Sequence, residues 1–149
     1  MNKKEAIKHF KTLLQCEQFV VTGSYALQKM GLISKGIGTV GDLDIILVNP
    51  TEEAINILTR LAEESPAETQ FHYLKKGIIL KFNGTKIDFF FETQAIVTDL
   101  TVDGVLISPV NRIIDAKKSY NRDKDWHQLR KMSRIFFKQE EFETYLNSK

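Results

Sequence analysis

Asp42, Asp44 and Asp88 are the side chains of this chain whose type and spacing can do chemistry. The run Asp42-Leu43-Asp44-Ile45-Ile46 reads as a strand, and strand side chains alternate faces. Asp42 and Asp44 therefore share one face, while Leu43, Ile45 and Leu47 turn the other way, toward a core. Two carboxylates held side by side repel, and ionising both is costly without a counter-charge. A divalent cation removes that cost, and oxygen ligands suit Mg²⁺ or Mn²⁺. Alone, the pair is weak evidence, because Asp-x-Asp also occurs in calcium loops, in glycosyltransferases and on solvated strand edges. Lys86-Ile87-Asp88-Phe89-Phe90-Phe91 adds a third carboxylate inside a strongly apolar strand. Such a group is expensive to bury unless something pairs with it. If the two strands are neighbours, Asp88 joins the other two, and three convergent carboxylates suit two-metal phosphoryl chemistry. The alternative is an edge Asp close to the Asn83-Gly84 turn.

Gly23-Ser24 lies between a short apolar run, Phe19-Val20-Val21-Thr22, and a helical stretch over 25–32. Glycine lets a ligand approach the backbone closely. A helix N-terminus offers free N–H groups to phosphate oxygens, and Ser24 can add its hydroxyl or serve as the N-cap. By itself Gly-Ser is a turn with a cap.

These residues must be positioned by a mixed set of elements. Residues 2–15 carry apolar side chains at helical spacing (Ala6, Ile7, Phe10, Leu13, Leu14). Strands are expected at 19–22 and 42–48, with the glycine-containing segment 34–41 between the Gly23-Ser24 helix and the second strand. Thr51 opens an amphipathic helix to about Glu64. Strand-like runs follow at 69–74, 78–82, 86–91 and 105–107, and Asn83-Gly84 is a hairpin signal. Pro109 starts a helix to about Tyr120. Another is expected from Arg122 or Asp123 to about Phe137, and a last one over 140–146. The order describes an α/β (α+β) architecture: a small mixed β-sheet with helices packed on it, followed by C-terminal helices. No repeat or linker divides the chain, so residues 1–149 read as one domain with a core at about 19–92 and a helical extension at about 109–146.

Taken together, strand, Gly23-Ser24, helix, Asp42-x-Asp44 and a distal Asp88 flanked by apolar residues resemble the nucleotidyltransferase superfamily typified by DNA polymerase beta. The resemblance spans about 19–92 and is densest over Val21-Thr22-Gly23-Ser24-Tyr25-Ala26-Leu27. It implies that Gly23 and Ser24 hold a nucleoside triphosphate and that Asp42, Asp44 and Asp88 hold the metal ions. Asp88 would also help deprotonate an acceptor hydroxyl. Farther on, Ser108-Pro109, Ala116-Lys117 and Arg122-Asp123-Lys124-Asp125 look like the tail of the abortive-infection nucleotidyltransferase toxins, which makes Lys117 and Lys124 candidates for phosphate or acceptor contacts. The same two lysines also fit a salt-laced helix surface.

The resulting expectation is Mg²⁺-dependent transfer of a nucleoside monophosphate to a hydroxyl on a small molecule, a tRNA or a protein. Two other readings stand beside it. One is a non-catalytic, antitoxin-like or regulatory module that binds a nucleotide or a helical protein partner. The other is RNA binding through the C-terminal helices. The chain carries a net charge of +2, but residues 111–138 hold nine Lys/Arg against three Asp, which leaves the remainder acidic. A basic third can attract a polyanion, or simply be a solvated helical face. The single cysteine, Cys16, cannot form an internal disulfide. With no apolar leader and no continuous apolar stretch long enough to span a bilayer, the expected location is the cytoplasm, with no membrane partner. His9, His72 and His127 have no metal spacing, and Trp126 and Tyr120 are expected to pack the terminal helices.

Overall fold

Residues 2–33, 42–65, 70–71 and 76–136 are described by the computed structural model. They form α1 (Lys3–Leu13), β1 (Gln18–Thr22), α2 (Gly23–Lys29), β2 (Leu43–Val48), α3 (Glu52–Glu64), β3 (Gln70–Phe71), β4 (Gly77–Phe82), β5 (Thr85–Glu92), β6 (Thr101–Val102), β7 (Val105–Ile107), α4 (Val110–Tyr120) and α5 (Asp123–Phe136). The segment 34–41, most of the run 69–74 and the expected helix over 140–146 lie outside the described residues.

The seven strands form one mixed sheet in the order β3-β4-β5-β2-β1-β7-β6. At its centre β2 pairs antiparallel with β1 and parallel with β5, so the two carboxylate-bearing strands are neighbours. Alternation sorts their side chains as expected. Leu43, Ile45, Leu47, Ile87 and Phe89 are all fully buried in the main core with the helices. There Phe10 of α1 meets Phe82 and Phe89 edge-on, at 5.1 and 5.2 Å between ring centroids. The opposite face of the same strands carries a smaller apolar cluster of Val20, Ile46, Val48 and Ile96, bordered by Phe90 and Leu106. Asp44 and Asp88 belong to this thinly covered face.

Local signals explain most element ends. The Thr51 hydroxyl accepts from the Ala54 N–H at 3.1 Å and caps α3. Asn83 and Gly84 both take positive φ, as a two-residue hairpin turn between β4 and β5 requires. The short β6–β7 hairpin, with Asp103-Gly104 at its turn, extends the edge beyond the single strand expected at 105–107. Asp-Gly before an apolar run was the available signal. Asn121, in the left-handed region, ends α4 and turns the chain into α5. Among the described residues no helix is long and apolar enough to cross a membrane.

Candidate active site

The register of the central strands builds the site. Thr22, Asp44 and Asp88 are direct partners across β1, β2 and β5, forming one row over three strands. Neighbouring strands lie about 4.8 Å apart, so the two aspartates are held side by side by backbone pairing alone. Asp42 sits just before β2 on the same side. It is half-exposed, with its Oδ2 3.5 Å from the Lys86 ammonium.

Gly23 closes the row from above. It takes φ +70, and a Cβ placed on it would be driven into the Asp44 carboxylate, 3.1 Å from Cγ. Both the backbone conformation and the space therefore call for glycine here. Ser24 is not the N-cap expected from sequence. The helix begins two residues earlier than expected, at Gly23, with Thr22 in the cap position and no side-chain cap bond. Lying inside α2, Ser24 turns its hydroxyl toward the C-terminal helices. Its Oγ donates to Gln128 Oε1 at 3.1 Å and accepts from Lys117 Nζ at 3.1 Å.

Lys117 is 5% exposed and Asp125 is fully buried, and their charged atoms lie 3.6 Å apart. Arg122 grips the same carboxylate with two donors, Nε at 2.7 Å and Nη2 at 3.1 Å, and lies over the Tyr120 ring at 4.9 Å. A buried carboxylate with two cationic partners is thus the anchor that fixes Lys117 and Arg122. Sequence reasoning missed Arg122, Asp125 and Gln128 as members of the site. The i, i+3 spacing of Arg122 and Asp125 was a usable sign of their pairing. Tyr120, expected to pack between helices, is instead half-exposed and lines the site.

All seven residues singled out from sequence (Gly23, Ser24, Asp42, Asp44, Asp88, Lys117 and Lys124) line one cavity of about 210 Å³. Phe90, Tyr120 and Arg122 are also part of its wall. The electrostatics follow from this crowding. Burial, reinforced by the charges of Asp88 and then Asp42, pushes the Asp44 carboxyl from 3.8 up to about 7, while Lys117 and Lys124 pull it down. Burial holds the Lys117 ammonium below its ordinary range, against the opposing pull of Asp125 and Asp44. Asp125 stays below the ordinary carboxylate range because the Arg122 hydrogen bond and the Lys117 charge outweigh its burial.

The donor set suits a hard divalent cation: oxygen ligands only, mutually repelling, with Asp44 short of positive charge. Among the described residues, however, no three His, Cys, Asp or Glu side chains are gathered closely enough to hold a metal ion as they stand.

Comparison with known proteins adds little to this geometry. No family model matches the sequence, and no curated protein matches it. A solved structure described as a "putative nucleotidyltransferase" from Thermotoga maritima aligns over 88% of this chain and 94% of its own, at 18% identity and a TM-score of 0.46.

Proposed function

We propose that this protein is a metal-dependent nucleotidyltransferase that moves a nucleoside monophosphate from a nucleoside triphosphate to a hydroxyl. The observation that carries the reading is the row of Asp44 and Asp88, with Asp42 beside it, on a cavity that also receives Lys117, Lys124 and Arg122. Acidic groups from the sheet strands and basic groups from the C-terminal helices on one cavity suit a triphosphate that arrives with divalent cations. Asp42, Asp44 and Asp88 would hold Mg²⁺ or Mn²⁺, with Asp42 exchanging Lys86 for the ion. Bound there, the metal supplies Lewis-acid polarisation of the phosphoryl oxygens.

The chain's own residues divide the remaining work. Gly23 lets the Asp44 carboxylate sit against the backbone at the start of α2, in a space that any side chain would fill. Lys117, Lys124 and Arg122 balance charge on the triphosphate, and Lys117 is aimed by Ser24 and Asp125. Asp88 accepts the proton of the acceptor hydroxyl. The acceptor oxygen bonds to the α-phosphorus, the bond from that phosphorus to the oxygen bridging toward the β-phosphate breaks, and pyrophosphate leaves. Fixed charges in a partly dry site lower the barrier because they need no reorganisation.

Transfer of label from α-³²P nucleotides tests the reading. Protein, RNA and small-molecule fractions of a cell extract serve as acceptors. RNA comes first because residues 111–138 hold nine Lys/Arg against three Asp, a charge excess that attracts a polyanion. Label should pass to one fraction with Mg²⁺ present and fail with Asp88→Asn. Equal labelling by wild type and Asp88→Asn would refute it. A second reading, nucleotide or partner binding without turnover, is favoured by one observation: the described carboxylates are not gathered into a metal cluster. It predicts nucleotide binding with no label transferred to any fraction.

A further inference from the structure

A larger cavity, of about 490 Å³, lies on the helix-covered side of β1. Its floor is apolar, formed by Ile7 of α1, Val21 of β1, and Val105 and Ile107 of β7. Tyr25 of α2 makes one wall. Four lysines surround it. Lys4, Lys8 and Lys11 follow one another along a single face of α1, and Lys29 comes from α2.

Two of these lysines are engaged. Lys11 Nζ donates to the Gly104 carbonyl at 2.7 Å, and Lys29 Nζ lies 4.0 Å from Asp103 and 5.5 Å from the Tyr25 ring centre. Together they strap the Asp103-Gly104 turn to both helices and close that end of the cavity. Lys4 and Lys8 stand at the remaining rim, and among the described residues neither meets a carboxylate. Asp103 is the one acidic side chain of the lining, and Lys29 already faces it.

A cavity of this size with an apolar floor and a few placed charges is the usual form of a small-molecule site. Its charge excess selects an anion, and its floor selects a body that prefers to leave water. We propose that this cavity binds a small organic anion, with a carboxylate or phosphate head between Lys4 and Lys8 and an apolar body over Ile7, Val21 and Ile107. The site is separate from the carboxylate cavity and does not depend on the chemistry proposed for it. The two are nevertheless adjacent in the chain. Val21 and Tyr25 flank Thr22-Gly23-Ser24, so an occupant would press on the segment that shapes the other site.

Calorimetric titration of the full chain at low salt with decanoate, decyl phosphate and decanol tests the proposal. One or both anions should bind saturably at one site, and decanol at least about tenfold more weakly. Lys4→Glu/Lys8→Glu should weaken the anion at least about tenfold. Thr12→Trp, at an exposed lining position, should block it. The anion that binds better identifies the head group. Retained affinity in both variants, or no binding of either anion to the wild type, would overturn the site. If the double variant unfolds early, Thr12→Trp decides alone, since it leaves every charge in place.

Discussion

Replacing Asp44 with asparagine should stabilise the metal-free protein while removing its proposed chemistry. The Asp44 carboxyl has a folded pKa of about 7 against 3.8 for the free group. A carboxyl whose pKa is raised on folding helps stability fully below pH 3.8. That help is lost progressively as pH rises to about 7. A gap of about 3 units at 1.36 kcal/mol each is about 4 kcal/mol, an upper figure reached above pH 7. Relaxation and bound counter-ions will reduce it, and about 2 kcal/mol is a fair expectation. For a chain of this length that is a rise in Tm of roughly 4–8 °C at pH 8, shrinking toward zero near pH 4. Thermal unfolding of wild type and Asp44→Asn in EDTA, between pH 4.5 and 8.5, measures it. An asparagine variant that is less stable than wild type at pH 8 would refute the reasoning. So would a difference that does not change with pH.

Three further outcomes follow from the same geometry. Gly23→Ala should cost about 1–3 kcal/mol, because it combines a left-handed backbone with a collision on Asp44, and it should also abolish nucleotide binding; urea unfolding and nucleotide titration read the two effects. Asp125→Ala leaves Lys117 without its carboxylate in a buried site and should destabilise by about 3–5 kcal/mol at pH 7, with the deficit shrinking as pH falls from 3.8, where the unfolded carboxyl protonates, through the lower value at which the folded wild-type carboxylate takes up its proton. If the basic C-terminal helices bind RNA, affinity should fall steeply with added salt in a filter-binding titration; binding that ignores salt would count against that role.

The reason the carboxylates were legible is that strands obey a two-residue period and that Asp44 and Asp88 are each bracketed by large apolar side chains. Leu43 and Ile45, like Ile87 and Phe89, leave the acids only one face to occupy. That Asp44 and Asp88 stand in register was not legible, because register is set by pairing between segments far apart in sequence. The Asn83-Gly84 hairpin and the Thr51 cap were readable because each is a local backbone requirement. Ser24 misled for a related reason: a serine beside a glycine at a strand end has the composition of a cap. Only tertiary packing reveals that its hydroxyl joins Lys117 to Gln128. Lys117 shows the same limit. Its sequence neighbours suit an exposed helix face, yet Asp125 draws it into the interior. The two-residue strand β6 was too short to show any alternation.

Whether Asp44 anchors a metal-assisted nucleotide site is read by a thermal-shift panel. ATP, GTP, CTP and UTP are each added with and without Mg²⁺ to wild type and Asp44→Asn. A ligand that binds the folded state raises Tm by mass action, by about 2.7 kcal/mol of stability at a hundred times its Kd. A Mg²⁺-dependent rise is expected with at least one triphosphate in the wild type and none in Asp44→Asn. No rise with any triphosphate in the wild type, or an equal rise in the variant, would contradict it.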